Sequence, residues 1–233
     1  MTTKNIKLEQ QLITQLKATL VASCQPVDNG PMDKVEHVVA MALAAIDGGA
    51  KAIRIEGVAN VKAVASVTDT PIVGIVKRDL DDSAVRISPF VQDIKDLAAA
   101  GATIIAFDGT NRKRPVPALE LLNAVHDAGC IAMADCSEYN EGMALHQSGC
   151  TFIGSTMSGY IDLNNTPEQP DYQLVSDWVA QGLNVIAEGR YNSPQRAAKA
   201  IELGALCVTV GSAITRVEHI TSWFVNSIEQ AKG

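Results

Sequence analysis

Short apolar runs recur eight times along the 233-residue chain, and each is rich in Val, Ile or Ala. In chain order they are TLVASC, AIRIEG, PIVGIVK, TIIAFDG, CIAMADC, TFIGST, NVIAEG and LCVTVG. Nearly every position within them is apolar, which is typical of parallel strands that are covered on both faces. The pattern therefore predicts eight buried β-strands.

Amphipathic helical patterns separate these runs, for example KVEHVVAMALAAIDGGA and SPQRAAKAIELGA. Many of them end in a glycine just before the next strand, where a left-handed residue stops a helix. These glycines are Gly49, Gly101, Gly129, Gly149, Gly182 and Gly204. Strands that alternate with helices predict parallel pairing through right-handed crossovers.

Eight such units predict a closed (β/α)8 TIM barrel of the α/β class, and we expect residues 1–233 to form a single domain. An open doubly wound sheet is the alternative. Residues 6–17 are expected to form a short N-terminal helix that covers the bottom of the barrel. The longest irregular stretch, residues 158–170, is interpreted as a βα loop.

The net charge and the aromatic content of the chain limit the kinds of molecule that it is expected to bind. The net charge of −7 repels nucleic acid and anionic membranes, and aromatic residues make up only 4% of the chain. An anionic substrate would therefore need a local basic site. The first segment lacks the apolar stretch of a signal peptide, and the five cysteines form no CxxC pair, so we expect buried, reduced thiols in a cytoplasmic protein. The four histidines form no HxH or HExxH pattern, so the sequence predicts no metal site.

Polar and charged residues end six of the eight runs. They are Ser23 and Gln25, Arg54 and Glu56, Lys77, Asp108, Asp135, and Glu188. In this fold the carboxyl ends of the strands form the active site. Because side chains alternate along a strand, Lys77 shares a face with Val73 and Ile75. We expect the charges to converge on one pocket, although charges that only solubilise the barrel rim are the alternative.

Such convergence has electrostatic consequences. Desolvation lowers the pKa of a lysine and raises the pKa of a carboxyl group, while their mutual attraction opposes both shifts. A lysine with a lowered pKa becomes a base that can take a proton from carbon.

The last two strands end differently, in small residues. Gly189 and Arg190 follow the seventh run, whereas Gly211 and Ser212 follow the eighth at the start of a helix. Small residues let backbone N–H groups approach an anion, and many barrels bind phosphate at this place. Because both segments are present, the sequence predicts a phosphate site. The alternative is that Ser212 is an ordinary helix N-cap.

Other features are interpreted as structural. The basic patch Arg112–Arg114 is expected to be a solvated loop, with an anion-binding loop as the alternative. The histidines are expected to be surface or packing residues, and Trp178 and Trp223 are expected to pack rather than to bind a ligand.

Seven motifs together resemble one family. LVASCQP, IRIEG, GIVKRD, ADCS, GSTMSGY, IAEGRYNSP and VGSAITR occur in the order seen in bacterial N-acetylmannosamine-6-phosphate 2-epimerases, across residues 16–228. The resemblance implies a (β/α)8 isomerase that interconverts N-acetylmannosamine 6-phosphate and N-acetylglucosamine 6-phosphate in sialic acid and amino-sugar catabolism. It implies that no cofactor is needed.

The resemblance also assigns site residues by motif. Lys77 and Glu188 match the catalytic lysine and glutamate. The implied substrate-binding residues are Gln25, Arg54 and Asp135, and the implied phosphate-binding residues are Gly189, Arg190, Gly211, Ser212 and Arg216. The sequence departs from the family at Val217, where a proline is usual, and at Leu80 and Arg86, where aromatic residues are expected.

The implied chemistry is removal and return of the C2 proton of the ring-opened sugar. Lys77 would take the proton, Arg54 would stabilise the enolate, and Glu188 would either tune Lys77 or serve as the acid on the opposite face. The alternatives are a Schiff-base lyase or aldolase, another phosphosugar-binding barrel enzyme, and a sugar-phosphate sensor. We expect a homodimer that binds a small amino-sugar phosphate and binds neither nucleic acid nor membrane.

Overall fold

The computed structural model describes residues 3–162 and 165–232. For residues 3 and 4 it describes only the backbone. Eight parallel strands close into a barrel in sequence order, β1 to β8, and β1 pairs with β8. The strands are β1 Thr19–Cys24, β2 Ala52–Glu56, β3 Ile72–Ile75, β4 Ile104–Asp108, β5 Ile131–Asp135, β6 Phe152–Gly154, β7 Asn184–Glu188 and β8 Cys207–Val210. The predicted (β/α)8 barrel is confirmed, and the open sheet is excluded.

Helices connect the strands and surround the barrel. They are α1 Thr3–Leu16, α2 Val35–Asp47, α3 Val58–Ala65, α4 Val91–Ala99, α5 Ala118–Asp127, α6 Tyr139–Gln147, α7 Tyr172–Ala180, α8 Pro194–Glu202, α9 Ser212–Thr215 and α10 Val217–Gln230. All six glycines predicted to follow helices have positive φ, from 76° to 105°. The helix stops predicted from glycine are thus confirmed. Among the described residues, no helix is long and apolar enough to cross a membrane.

The core has two layers that follow the alternation along each strand. Residues of one face, including Val73, Ile75 and Ile186, fill the barrel lumen. Leu12 and Leu16 of α1 belong to the same lumenal cluster and are almost fully buried, which confirms that the N-terminal helix closes the barrel. Residues of the other face pack against the surrounding helices. All five cysteines are buried and unpaired, as expected.

Two long loops rise above the carboxyl ends of the strands. The loop after β3 contains Lys77, which pairs with Ile87 through an isolated antiparallel bridge. Strand β3 therefore ends at Ile75, two residues before the predicted end. The loop between β6 and α7 includes the predicted irregular stretch 158–170, of which residues 163 and 164 lie outside the described residues.

Helix α10 packs differently from the helices that flank the barrel. Within the described part of the chain, none of the residues of α10 is buried. Its large apolar side chains Val217, Phe224, Val225 and Ile228 are 50–68% exposed. An apolar helix surface of this kind is typical of a protein–protein contact.

Candidate active site

A cavity of about 520 Å³ opens at the carboxyl ends of the strands. Its walls contain nine of the ten predicted site residues. These are Gln25, Arg54, Lys77, Glu188, Gly189, Arg190, Gly211, Ser212 and Arg216. The tenth, Asp135, is fully buried behind the wall and contacts Arg54. The expected convergence is present for Arg54, Lys77 and Glu188, whereas Glu56 and Asp108 lie outside the described wall of this cavity.

Arg54 is the centre of a buried ionic network. Its Nη1 donates to Oδ1 of Asp135 at 3.1 Å and to Oε2 of Glu188 at 2.8 Å, and its Nη2 donates to Oδ2 of Asp135 at 2.6 Å. These groups come from β2, β5 and β7, so only closure of the barrel brings them together. Burial lowers the pKa of Arg54, but the two carboxylates outweigh it and hold the pKa above its ordinary value. Arg54 is therefore a permanent cation in the lumen.

Glu188 is the less tightly held of the two carboxyl groups. Burial raises the pKa of Glu188 to about 7, against the opposing attraction of Arg54. Only 14% of its side chain is exposed. A carboxyl group with this pKa exchanges protons near neutral pH, as an acid–base catalyst must.

Lys77 lies on the lumenal face, as the alternation predicts. Its backbone N–H donates to Oε1 of Glu56 at 3.2 Å, which fixes the first residues of the loop. Burial lowers the pKa of Lys77, and the positive charge of Arg216 lowers it further. For both Lys77 and Glu188, burial therefore outweighs the opposing attraction between opposite charges.

The small residues after β7 and β8 line one end of the cavity. Gly211 lines the cavity, and a Cβ added there would lie 3.4 Å from Cβ of Ser23, so a methyl group would just fit. Nε of Arg216 donates to the backbone carbonyl of Gln25 at 2.9 Å. Arg216 thus faces the cavity even though Val217, at the start of α10, replaces the usual proline.

The guanidinium of Arg190 is hydrogen-bonded to backbone carbonyl groups of the protein. Its Nε donates to the carbonyl of Gln169 at 2.7 Å, its Nη1 donates to the carbonyl of Ser158 at 2.5 Å, and its guanidinium lies 5.2 Å from the ring centre of Tyr160. The side chain therefore ties the loop after β7 to the loop after β6.

Asp108 and the basic patch form a structural cluster beside the main cavity. Nη2 of Arg112 donates to Oδ2 of Asp108 at 2.5 Å, and Nη2 of Arg114 donates to the Asp108 backbone carbonyl at 2.6 Å. The interpretation of Arg112–Arg114 as a solvated loop is wrong for these two arginines, whose side chains are only 20% and 11% exposed. It holds for Lys113, which is 78% exposed.

Several cavity residues were missed by the sequence analysis. Thr156 follows the sixth strand, and its hydroxyl donates to Oδ1 of Asp135 at 2.5 Å and lies 3.3 Å from Oε2 of Glu188. Its place as the last residue of the predicted run TFIGST was a usable signal. His219 and Trp223 of α10 also line the cavity, which the sequence did not indicate. Trp178 is buried packing, as expected.

An acid–base network with a lysine of lowered pKa, at the carboxyl face of a (β/α)8 barrel, defines a barrel enzyme. Residues 38–230 match the family described as "Putative N-acetylmannosamine-6-phosphate epimerase". The chain belongs to this family.

Individual relatives agree with this assignment. A protein from Pasteurella multocida, named "Putative N-acetylmannosamine-6-phosphate 2-epimerase", is 59% identical over 222 residues, which are 95% of this chain and 97% of the relative. A protein of the same name from Haemophilus influenzae is 56% identical over 223 residues, which are 96% and 97% of the two chains.

Solved structures extend the comparison. The N-acetylmannosamine-6-phosphate 2-epimerase from Clostridium perfringens superposes with a TM-score of 0.88 at 36% identity, covering 92% of this chain and 95% of the other. Thiamine phosphate pyrophosphorylase from Pyrococcus furiosus, with a TM-score of 0.62 at 15% identity over 88% of this chain and 89% of the other, shares the fold alone.

Proposed function

We propose that this protein epimerises C2 of N-acetylmannosamine 6-phosphate to give N-acetylglucosamine 6-phosphate. The observation that carries the proposal is the meeting of Lys77, Arg54 and Glu188 in one cavity, with proton affinities suited to proton transfer. The names of the relatives identify the substrate. We also propose that the protein acts in amino-sugar and sialic acid catabolism in the cytoplasm, where its buried thiols stay reduced.

The reaction requires an acidic C2 hydrogen, which exists only beside a carbonyl group. The sugar therefore reacts with its ring open and an aldehyde at C1. Lys77, in its neutral form, takes the C2 proton, and the electrons move onto the aldehyde oxygen to form an enolate. Arg54 is a fixed cation next to this position and supplies the electrostatic stabilisation that the developing negative charge needs.

Inversion is complete when a proton is delivered to the opposite face of C2. Glu188 is the group proposed for this step, because a carboxyl with a pKa of about 7 is protonated in a large fraction of molecules near neutral pH. Before the next turnover Lys77 releases the proton that it took from C2 to solvent, and Glu188 regains a proton from solvent; in the reverse direction the two groups exchange these roles. The alternative role, in which Glu188 only tunes Lys77, predicts a different isotope pattern.

The phosphate group is proposed to lie at the end lined by Gly189, Gly211, Ser212 and Arg216. The support is that Gly189 and Gly211 both line the cavity and carry no side chain that would keep an anion away from their backbone. For Arg190, the contacts of its guanidinium with loop carbonyls support a contribution through positioning of the loop rather than through the free side chain.

Incubation of the protein with N-acetylmannosamine 6-phosphate in D2O tests the proposal. Proton NMR should show the C2 signal being lost to deuterium while the N-acetylglucosamine 6-phosphate signals grow. Borohydride added during turnover should leave Lys77 unmodified. Trapping of a substrate adduct on Lys77 would support the Schiff-base lyase instead, because a lysine of lowered pKa suits that chemistry too.

We also propose that the protein is a homodimer. The support is the exposed apolar surface of α10, which includes Phe224 and Ile228. Sedimentation equilibrium should give twice the chain mass of 24.7 kDa, and Phe224→Glu should shift the protein toward the monomer.

A further inference from the structure

Glu56 is a charged residue at a strand end that the proposed mechanism does not use. It is the last residue of β2 and lies outside the described wall of the main cavity. Because side chains alternate along a strand, Glu56 shares its face with Arg54 and lies closer to the carboxyl end of the barrel. Its neighbour in the sheet is Ile75, the last residue of β3. The carboxylate therefore lies where β3 passes into the loop that carries Lys77.

Three partners hold the backbone around Lys77. The N–H of Val76 donates to Oγ of Ser88 at 3.2 Å, and the N–H of Ser88 donates to the carbonyl of Val76 at 2.7 Å. Ile87 pairs with Lys77 through the isolated bridge. The N–H of Lys77 itself donates to Oε1 of Glu56 at 3.2 Å. Of these three partners, Glu56 is the one that belongs to a barrel strand, so it ties the position of Lys77 to the barrel.

The negative charge of Glu56 also acts on the amine of Lys77. Burial is the largest cause of the lowered pKa of Lys77, followed by the positive charge of Arg216, and Glu56 is the largest cause that opposes them. The charged groups that face Lys77 come from four parts of the barrel; they are Arg54 and Glu56 of β2, Arg216 after α9, Asp28 after β1 and Glu188 of β7. Glu56 is thus the main carboxylate that offsets the two arginines.

Both effects bear on the proposed proton transfer. When Lys77 takes the C2 proton, an ammonium forms near two guanidinium groups, and a neighbouring carboxylate stabilises it. The amine must also be well placed, because a misplacement of about 1 Å can lower a rate roughly 10²-fold. We propose that Glu56 is a positioning residue for Lys77, whose carboxylate fixes the backbone from which the amine reaches C2 and supplies the negative charge that the new ammonium needs. The inference rests on the proposed epimerase function.

The kinetics of Glu56→Ala test the positioning. This variant loses both the acceptor for the Lys77 N–H and the charge, so kcat should fall at least about tenfold. KM should stay within about threefold, because the phosphate end does not involve Glu56. Glu56→Gln keeps an oxygen that can accept the hydrogen bond and should restore part of the loss. Asp79→Ala is the matched control, since its carboxylate lies in the same loop, is 84% exposed and pairs with Arg86 at 2.6 Å; it should keep full kcat.

Labelling of Lys77 tests the charge without turnover. Acetic anhydride reacts with the neutral amine, and mass spectrometry of the peptide gives the rate at Lys77. In Glu56→Gln the ammonium loses a stabilising carboxylate, so at pH 7 the label should enter at least about twofold faster. Lys113, which is 78% exposed, is the internal reference and should react at the same rate in every variant. Asp79→Ala should leave both rates unchanged.

The outcomes separate this inference from the epimerase proposal. A folded Glu56→Ala protein whose kcat is within about twofold of the unmodified protein would overturn the role of Glu56, and so would a loss confined to KM or an unchanged rate of labelling in Glu56→Gln. If Glu56→Ala fails to fold by circular dichroism, Glu56→Gln decides, and either a normal kcat or a normal labelling rate overturns the role. Absence of turnover of N-acetylmannosamine 6-phosphate by the unmodified protein would overturn the epimerase proposal, whereas the labelling would still decide whether Glu56 acts on Lys77.

Discussion

Replacing Glu188 by Gln should make the protein more stable at pH 8 and nearly inactive. The pKa of Glu188 is raised from an ordinary 4.5 to about 7, chiefly by burial. Between these two pH values the folded protein holds a proton that the unfolded chain has released, so the free energy of unfolding falls as pH rises. At 1.36 kcal/mol per pH unit, the full loss above pH 7 is roughly 3 kcal/mol.

Glutamine is neutral at every pH and avoids this loss. It also keeps an oxygen that can accept the hydrogen bond from Nη1 of Arg54, which lies 2.8 Å from Glu188. The free energy of unfolding, measured by urea denaturation, should therefore increase by about 1–3 kcal/mol at pH 8 and change little at pH 4. Glu202→Gln is the matched control, since Glu202 is 66% exposed and should show no such difference.

The same variant should lose turnover. Removal of an acid–base group costs roughly 10²-fold or more in rate, whereas KM should change little because the phosphate end does not involve Glu188. If Glu188 is the acid on the opposite face, exchange of the C2 hydrogen with D2O should persist without inversion. If it only tunes Lys77, exchange and inversion should fall together.

Two results would refute this reasoning. A Glu188→Gln protein that is less stable than the unmodified protein at pH 8 would mean that the Arg54 ion pair outweighs burial. A variant with unchanged epimerisation would remove Glu188 from the mechanism altogether.

Two further predictions address the ends of the cavity. Lys77→Ala should lower turnover by at least about 10²-fold with an unchanged circular dichroism spectrum, while Lys113→Ala, at an exposed lysine, should keep full activity. Near-normal activity of a folded Lys77→Ala protein would contradict the assignment of the base. Gly211→Asp should weaken inhibition by inorganic phosphate and raise KM, because a carboxylate repels the anion. Gly211→Ala is its steric control, and equal phosphate inhibition in all three proteins would argue against a phosphate site here.

The barrel could be predicted from the sequence because the signals for its strands and helix ends are local and recur in each βα unit. Each strand is an apolar run, and each of the six tested helix stops carries a glycine with positive φ. The end of β3 was the exception. Lys77 leaves the barrel ladder because its backbone pairs with Ile87 and donates to Glu56, and neither partner is close to it in the sequence.

The candidate active site was predictable where a charged residue interrupts an apolar strand, as at Arg54 and Glu188. It was not predictable where the residue lies in a loop or on a helix whose position depends on tertiary packing. His219 and Trp223 look like ordinary helical residues until α10 is placed over the cavity. The partners of Arg190 were hidden for the same reason, since a sequence displays a charge but not the carbonyl groups that it meets.

The ionic network connects these observations to the chemistry. One cation, Arg54, faces two carboxyl groups in a lumen that is closed to water at the bottom by Leu12 and Leu16. The carboxylate of Asp135 accepts two of the three hydrogen bonds from Arg54 and one more from Thr156. The carboxylate of Glu188 accepts only one hydrogen bond from Arg54, so less of the cost of its burial is offset. Burial raises the pKa of Glu188 to about 7, and its side chain lies at the cavity wall, so a proton can be held there near neutral pH. An enzyme that must return a proton to carbon needs it in that position, and a barrel supplies it only when three separate strands place their last residues together.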